Sequence, residues 1–409
     1  MPRPLRSLYI CYFPLTEPLV QTQVVAYLRG LAQRGHHIHL MTFEPAPMSS
    51  GERRIWRRRL KAQGIIWHHL RYHKRPSLPA TVYDVMCGVT AALRIIRRYR
   101  LEAVHARSHV PATMGLILKR LTGCRFIFDI RGLLAEEYVD AGNWRQDSVP
   151  FRLTKNMEKR CIENADGIVV LTERVRRALF EEKTNKLVRV IPCCADLTQI
   201  EAQAAQRNAM RAELGLSDKT VMIYTGKLGG WYMQREMVGL FSAARDVVPN
   251  LHFLVLTQSD AQLIVREFER YQVSPGDFTV TWVEPARIGA YLAAADFAIS
   301  FIKPCPSKIA SSPTKVGEYL AAGLPLVCTA GVGDMDAIIK DNQVGVTLSD
   351  LTPAAFHTAI RHIMALLDDA QTRSRCQQTA HEYASLQDIG VPRYDALYNH
   401  IARSVISAR

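Results

Sequence analysis

Residues 311–334 read SSPTKVGEYLAAGLPLVCTAGVGD. The stretch predicts a loop, a helix, a short buried strand and a glycine-rich turn. Pro313 suits a helix start, where its missing N–H removes no bond, and Ser311 and Ser312 are candidate caps. The helix is expected from about Thr314 to Ala322, with Gly323 placed to end it. Leu324, Leu326, Val327 and Cys328 form the apolar run of a buried parallel strand. A helix N-terminus offers unsatisfied backbone N–H groups and the positive end of the dipole. Thr314 adds a hydroxyl and Lys315 a cation, so this terminus suits a phosphate. Glu318 lies one turn on, along the same face. A carboxylate repels phosphate but accepts hydrogen bonds from a ribose diol. Phosphate and diol partners one turn apart describe a nucleotide site. The plainer alternative is a helix–Gly–strand unit of any α/β protein, with Lys315 and Glu318 a solvated pair.

The run SPTKVGEYLAAGLPLV also resembles the donor-binding segment of the family-4 glycosyltransferases, retaining enzymes with the GT-B fold. Their segment has a Pro and a Lys ahead of a Glu, then EYLA, a small residue, Gly, one residue and Pro. The resemblance implies two doubly wound Rossmann-like domains facing each other across a cleft. The second would bind a nucleotide-sugar and the first an acceptor. Their expected extents are residues 1–200 and 201–389, with a helix at about 390–409 returning to the first.

Composition agrees with that size. A chain of 409 residues is long for one domain, and two of about 200 each is the natural division. No run of 18 apolar residues is visible, so no transmembrane helix is expected. The opening MPRPLRSLYICYFPL reads as a first strand and not as a signal peptide. Nine cysteines, an odd number without zinc spacing, point to reduced thiols and a cytoplasmic setting. The net charge of +14 is uneven. Residues 1–200 carry 33 Lys and Arg against 17 Asp and Glu, whereas residues 201–409 carry 19 against 21. An asymmetry of this kind concerns a partner and not the fold.

The first half alternates strands and helices. Leu8–Phe13 and Ile38–Phe43 are expected strands, with a helix from about Val20 to Ala32 between them. The resemblance places a Gly-Gly pair in the first loop, where Glu17-Pro18-Leu19 stands here. Residues 51–67, GERRIWRRRLKAQGIIW, follow. Arg53, Arg54, Arg57, Arg58, Arg59 and Lys61 surround Ile55, Trp56 and Leu60, the composition of a membrane-surface helix. A solvated helix is the alternative. Nucleic acid is disfavoured, since no helix-turn-helix, finger or RNP signature accompanies the arginines. Tyr83–Arg98 reads as an amphipathic helix, Glu102–Ala106 as a strand and Pro111–Leu121 as a helix. Arg125–Asp129 is the next strand. Polar groups after strand ends are where open α/β sheets take ligands. The resemblance places a His next to a Gly here, and Arg131-Gly132 stands at that position. It implies sugar or acceptor contact for Asp129 or Arg131, with His105 or His109 supplying the imidazole. Glu136 and Glu137 read as solvated. Val188–Pro192 ends this half, and a linker is expected from Ala195 to about Arg207.

The second half restarts with the strand VMIYT and the turn Gly226-Lys227-Leu228-Gly229-Gly230. Glycines let backbone N–H groups approach a ligand, and Lys227 adds charge. The resemblance implies diphosphate contact for Gly226 and Lys227 and a second Lys a few residues on, where Tyr232 and Met233 stand. It implies base contact at Val283-Glu284-Pro285. It also expects a Glu at position 310, where the chain has Ala. The expected donor-binding set is thus Gly226, Lys227, Glu284, Ser312, Thr314, Lys315 and Glu318. The expected catalytic set is Asp129, Arg131, His109, Lys227 and Lys315. No DxD-type motif lies at a strand end, so no metal or other cofactor is expected. The expected activity is glycosyl transfer from a nucleotide-sugar to a glycan or lipid-linked acceptor, with retention, by a peripheral protein at an anionic membrane surface. A nucleotide-sugar 2-epimerase and a non-catalytic binding protein are the alternatives.

Overall fold

The apolar runs pair into two all-parallel sheets in the computed structural model, which describes residues 3–75, 77–180 and 184–406. The first sheet holds β1 (Arg6–Cys11), β2 (His37–Glu44), β3 (Ile65–Arg71), β4 (Ala103–Arg107), β5 (Arg125–Asp129), β6 (Gly167–Val170) and β7 (Val188–Val190). Its order is β3-β2-β1-β4-β5-β6-β7. The second holds β8 (Thr220–Thr225), β9 (Leu251–Leu256), β10 (Phe278–Thr281), β11 (Phe297–Ser300), β12 (Leu326–Thr329) and β13 (Gly345–Leu348). Its order is β10-β9-β8-β11-β12-β13. Each order reverses direction once, between β1 and β4 and between β8 and β11. Ligands of doubly wound sheets bind at such points, beyond the strands' carboxyl ends.

Two units divide the chain: Met1–Pro192 with Gly390–Arg409, and Cys193–Ile389. Within the second, the strands are apolar on both faces because helices cover both. Val221 and Ile223 of β8 join one core cluster with Leu254, Ala298 and Leu326. Met222 and Tyr224, the alternate residues, join the other with Phe253, Phe297 and Val327. The period of two in β structure therefore assigns each residue its layer.

Within the first unit, the C-terminal helix Val391–Ile406 lies against the sheet. A Cβ on Gly167 would come within 2.9 Å of Leu397, and one on Gly30 within 2.4 Å of Val391. Both glycines are small because this helix presses on them. The last residues of the helix expected at about 390–409, 407–409, lie outside the described residues.

Several local expectations change. The first helix is not continuous, since Gln21–Val25 forms a π turn between Pro18–Val20 and Ala26–Gln33. The expected linker 195–207 is helical at Leu197–Glu201 and Ala204–Gln206, and Gln203 accepts a hydrogen bond from the Ala290 N–H at 2.8 Å. The amphipathic helix expected at Tyr83–Arg98 begins earlier and runs Ser77–Tyr99. Its 22 residues Leu78–Tyr99 are long and apolar enough to span a membrane by composition. Yet Asp84 in its middle is fully buried, accepting hydrogen bonds from the Tyr12 hydroxyl at 2.6 Å and the His73 N–H at 3.0 Å. Val89, Ala92 and Ile96 join the core cluster of β1, β2 and β4. The helix is a covering layer of the sheet.

Candidate functional site

At the carboxyl ends of β8, β9 and β10 lies a pocket of about 210 Å³. Its walls include Gly226, Lys227, Thr257, Trp282, Lys315 and Glu318. The helix Thr314–Ala321 supplies the last two. Tyr319 of that helix pins it to the end of β8, its hydroxyl accepting from the Thr225 N–H at 2.7 Å. Gly317 lets it approach the helix Thr372–Ala384, where an added Cβ would sit 2.5 Å from Ala384. The turn after β8 passes directly over Lys315. Gly226 has φ +127°, and a Cβ there would meet the Lys315 Nζ at 2.7 Å. Glycine at this position answers both to backbone angle and to close approach.

Lys315 is partly covered along its stem, but its Nζ is sealed from solvent and has no hydrogen-bond partner. It rests between two aromatic faces, 4.1 Å from the Tyr224 ring centroid and 4.4 Å from that of Tyr232. Tyr232 is held in place by an antiparallel bridge to Ile302. Burial pulls the Lys315 pKa down to about 7, against a smaller opposing pull from Glu318. Burial likewise raises the pKa of Glu318, with Lys315 opposing. An enclosed lysine with aromatic contacts but no acceptor is poised for an anion.

The remaining expected donor residues divide. Gly226 and Lys227 line the pocket, Lys227 with an exposed side chain. Thr314 opens the helix. The helix has no side-chain cap: Pro313 occupies the cap position, and neither Ser311 nor Ser312 caps it. Ser312 instead accepts the Cys193 N–H at 3.0 Å. Pro313 therefore sits one position before the expected one. Glu284 is exposed and outside the pocket lining, which takes Trp282, Val283, Pro285 and Ile288 from that segment. Trp282, 55% exposed, and the Tyr224–Tyr232 pair were not singled out by the sequence reading. Tyr232 had a signal, since it stands where the resemblance expects a cation.

In the first unit β5 ends on Asp129, which is wholly buried. The Tyr394 hydroxyl of the C-terminal helix donates to its Oδ2 at 2.9 Å, and the Tyr9 hydroxyl at 3.4 Å. His105 Nε2 lies 3.6 Å away, Arg131 3.5 Å and Arg107 3.8 Å. Burial alone would raise the carboxyl's pKa. Arg131, His105 and Arg107 outweigh it and hold Asp129 well below the usual carboxylate range. His105 is fully enclosed, its Nδ1 3.0 Å from the Tyr398 hydroxyl, and burial lowers its pKa against the pull of Asp129. The turn that follows β4 carries strain: Ser108 has φ +70°, and its N–H donates to the Asp129 carbonyl at 2.8 Å.

Asp129 meets no solvent. It orients Arg131 and ties the last helix to the sheet. His109 is brought elsewhere, its Nε2 2.9 Å from Glu158. Glu158 also binds Lys155, which reaches Glu136 at 2.9 Å. Glu136 is thus paired and not solvated. A Cβ on Gly132 would press within 2.8 Å of Glu137.

The basic helix forms as Ser50–Ala62, with a capping box between Ser49 and Glu52. Leu60 is its only buried residue, and Ile55 is 65% exposed. Arg54, Arg57, Arg58, Arg59 and Lys61 are exposed, whereas Arg53 and Trp56 are half-buried. The Arg59 guanidinium lies 5.1 Å from the Trp56 ring centroid. Glu52, the helix's only acid, is engaged by its cap. Among the described residues, no group of three or more His, Cys, Asp or Glu is placed to hold a metal ion.

Residues 20–199 match the model of Glycosyltransferase Family 4, and residues 219–366 that of Glycosyl transferases group 1. No curated protein matches the sequence. Among solved structures, a glycosyltransferase from Rickettsia africae is similar with a TM-score of 0.72 at 12% identity, covering 98% of this chain and 99% of that one. Sucrose-phosphate synthase from Thermosynechococcus elongatus gives 0.70 at 16% identity, over 99% and 100%. Anabaena HepE in complex with UDP-glucose gives 0.65 at 12%, over 98% and 99%. At these identities the structural likeness speaks for the fold. The two family matches reach further, and by them the chain belongs to the glycosyltransferases of family 4, with the GT-B fold.

Proposed function

We propose that the protein transfers a sugar from a nucleotide-sugar to a hydroxyl of a glycan or lipid-linked acceptor, retaining the anomeric configuration and using no metal ion. The observation that carries this reading is the enclosed, unpartnered Lys315 in the pocket beneath the Gly226 turn, with Glu318 on the same wall. The bond between the anomeric carbon and the diphosphate oxygen breaks, and the nucleoside diphosphate leaves with the electron pair. Lys315, Lys227 and the N–H groups opening the Thr314–Ala321 helix stabilise that charge, the part a cation plays elsewhere. Glu318 accepts hydrogen bonds from the ribose. The acceptor oxygen bonds to the anomeric carbon and releases its proton. Arg131, held by Asp129, contacts the sugar or acceptor.

UDP-sugars come first among donors to test, since the HepE structure holds UDP-glucose. A thermal-shift panel of UDP-, GDP-, ADP- and CMP-sugars is expected to yield one stabilising class. Ligand at 100 times its Kd adds about 2.7 kcal/mol. With that donor, slow hydrolysis without acceptor is expected to persist in EDTA. Loss in EDTA and recovery with Mg²⁺ rejects metal independence. An isomerised sugar nucleotide indicates an epimerase, and no turnover a binding protein.

The same reading places the protein at the inner face of an anionic membrane, in polysaccharide biosynthesis. Its support is the basic helix, whose cations meet no acid of their own helix except the capped Glu52. Each basic residue near an anionic leaflet contributes about 1 kcal/mol, over a Debye length of about 8 Å at physiological ionic strength. Binding to anionic vesicles is expected at low salt, with little at high salt and none to neutral vesicles. Changing Arg53, Arg54, Arg57, Arg58 and Arg59 to Gln is expected to abolish it while donor hydrolysis continues. Native protein that ignores anionic vesicles at low salt makes a soluble acceptor the better reading.

A further inference from the structure

The groups facing Lys315 are two phenols, one thiol and one carboxyl. Tyr224 from β8 and Tyr232 from the segment ahead of the next helix present ring faces, and burial raises both phenols above their ordinary range. Cys328 from β12 is fully enclosed, and burial raises its thiol as well. Glu318, on the same helix, is the nearest acid; its carboxyl is itself pushed up by burial and makes no ion pair with the lysine. Lys227, on the turn above, lines the pocket with an exposed side chain. An ammonium sealed here lacks water and a paired counter-charge, Glu318 offsetting only part of the burial, so the amine form is favoured. A diphosphate entering the pocket supplies the missing charge and reverses the balance.

We propose that Lys315 is a neutral amine in the free protein and takes up a proton when a nucleoside diphosphate group enters, so that the anion generates the cation that holds it. The proposal rests on the donor-site reading of the pocket. Its consequence is a specificity device: a diphosphate is bound with a proton, whereas a nucleoside lacking phosphates is not.

The test has two arms. In ligand-free protein carrying ¹³Cε-lysine, the Lys315 resonance, assigned by its absence in Lys315→Arg, is expected to titrate near pH 7. A midpoint near the ordinary lysine value of about 10.4 overturns the proposal. In the second arm UDP-glucose, or whichever nucleotide-sugar the thermal panel selects, is titrated calorimetrically in two buffers of different ionisation heat. Its diphosphate is diesterified and does not itself titrate in this range. About 0.9 proton is expected to be taken up per ligand at pH 8, and affinity to fall about fifty-fold between pH 7 and 9. Lys315→Arg cannot deprotonate and is expected to show no such uptake. The parent nucleoside is expected to show neither effect. Binding of the nucleotide-sugar without proton uptake overturns the proposal and leaves the donor site standing. If no nucleotide-sugar binds, the donor reading falls, and the ligand-free titration still decides the state of the amine.

Discussion

Replacing Lys315 by methionine is expected to lower transfer by about 10²–10³-fold while raising the melting temperature of the second unit. The loss follows from removing the cation that faces the leaving group once the donor is bound, where such groups contribute on that scale. The gain follows from the same burial. Methionine fills a comparable volume and keeps contact with the Tyr224 and Tyr232 rings, but brings no sealed, unpartnered nitrogen. The sign can be checked against pH. The folded lysine's pKa lies near 7, below its unfolded value, so the native state binds fewer protons between the two. Its destabilising effect is complete below pH 7 and fades as pH rises towards the unfolded pKa. The Lys315→Met variant is therefore expected to outlast the native protein most clearly at pH 6 and least at pH 10. Glu318→Ala is expected to lower turnover at least tenfold and to weaken ribonucleotides more than pyrophosphate. Full activity in both variants places the donor site elsewhere.

The second large effect is expected in the first unit and in stability. Asp129→Asn keeps the shape of the side chain and an acceptor for Tyr394, but takes away the buried negative charge that Arg107 and Arg131 face. Breaking a buried pair from one side costs about 3–5 kcal/mol. For a unit of this size that is a fall of about 10 °C in melting temperature, read by calorimetry as the transition that shifts. Tyr394→Phe removes one hydrogen bond, worth about 1.5–3 kcal/mol when the acceptor is charged, and is expected to shift the same transition less. Because Asp129 stays ionised below the usual range, its stabilising effect is complete above the unfolded value of about 3.9 and is lost only as pH falls through the depressed folded value. An Asp129→Asn variant that melts normally yet loses transfer makes Asp129 a catalytic residue after all.

Much of this protein is written locally. The alternation of apolar strands with helices decided the two α/β sheets, because strand and helix periods act over a few residues. Residues 314–321 specified a helix bringing Lys315 and Glu318 to one face, because one turn separates them. Gly323, at φ +77°, ends that segment, as a helix terminus of this kind requires. Local spacing also assembled the basic helix and its exposed arginines. It did not foresee that Pro313 itself would take the cap position while Ser312 accepts the Cys193 N–H 119 residues away.

The tertiary structure decided the electrostatics. Lys315 reads in sequence as an ordinary cation, and only the closing of Tyr224, Tyr232 and Gly226 around it removes its water. Asp129 reads as a strand-end ligand, and the fold surrounds it with Tyr9, His105, Arg107 and Arg131, and with Tyr394 from 265 residues later in the chain. His109 reads as an imidazole near the site, and the fold gives it to Glu158. A residue's type and spacing determine where its backbone goes. Its charge state depends on solvation and neighbouring charge, which the folded packing supplies.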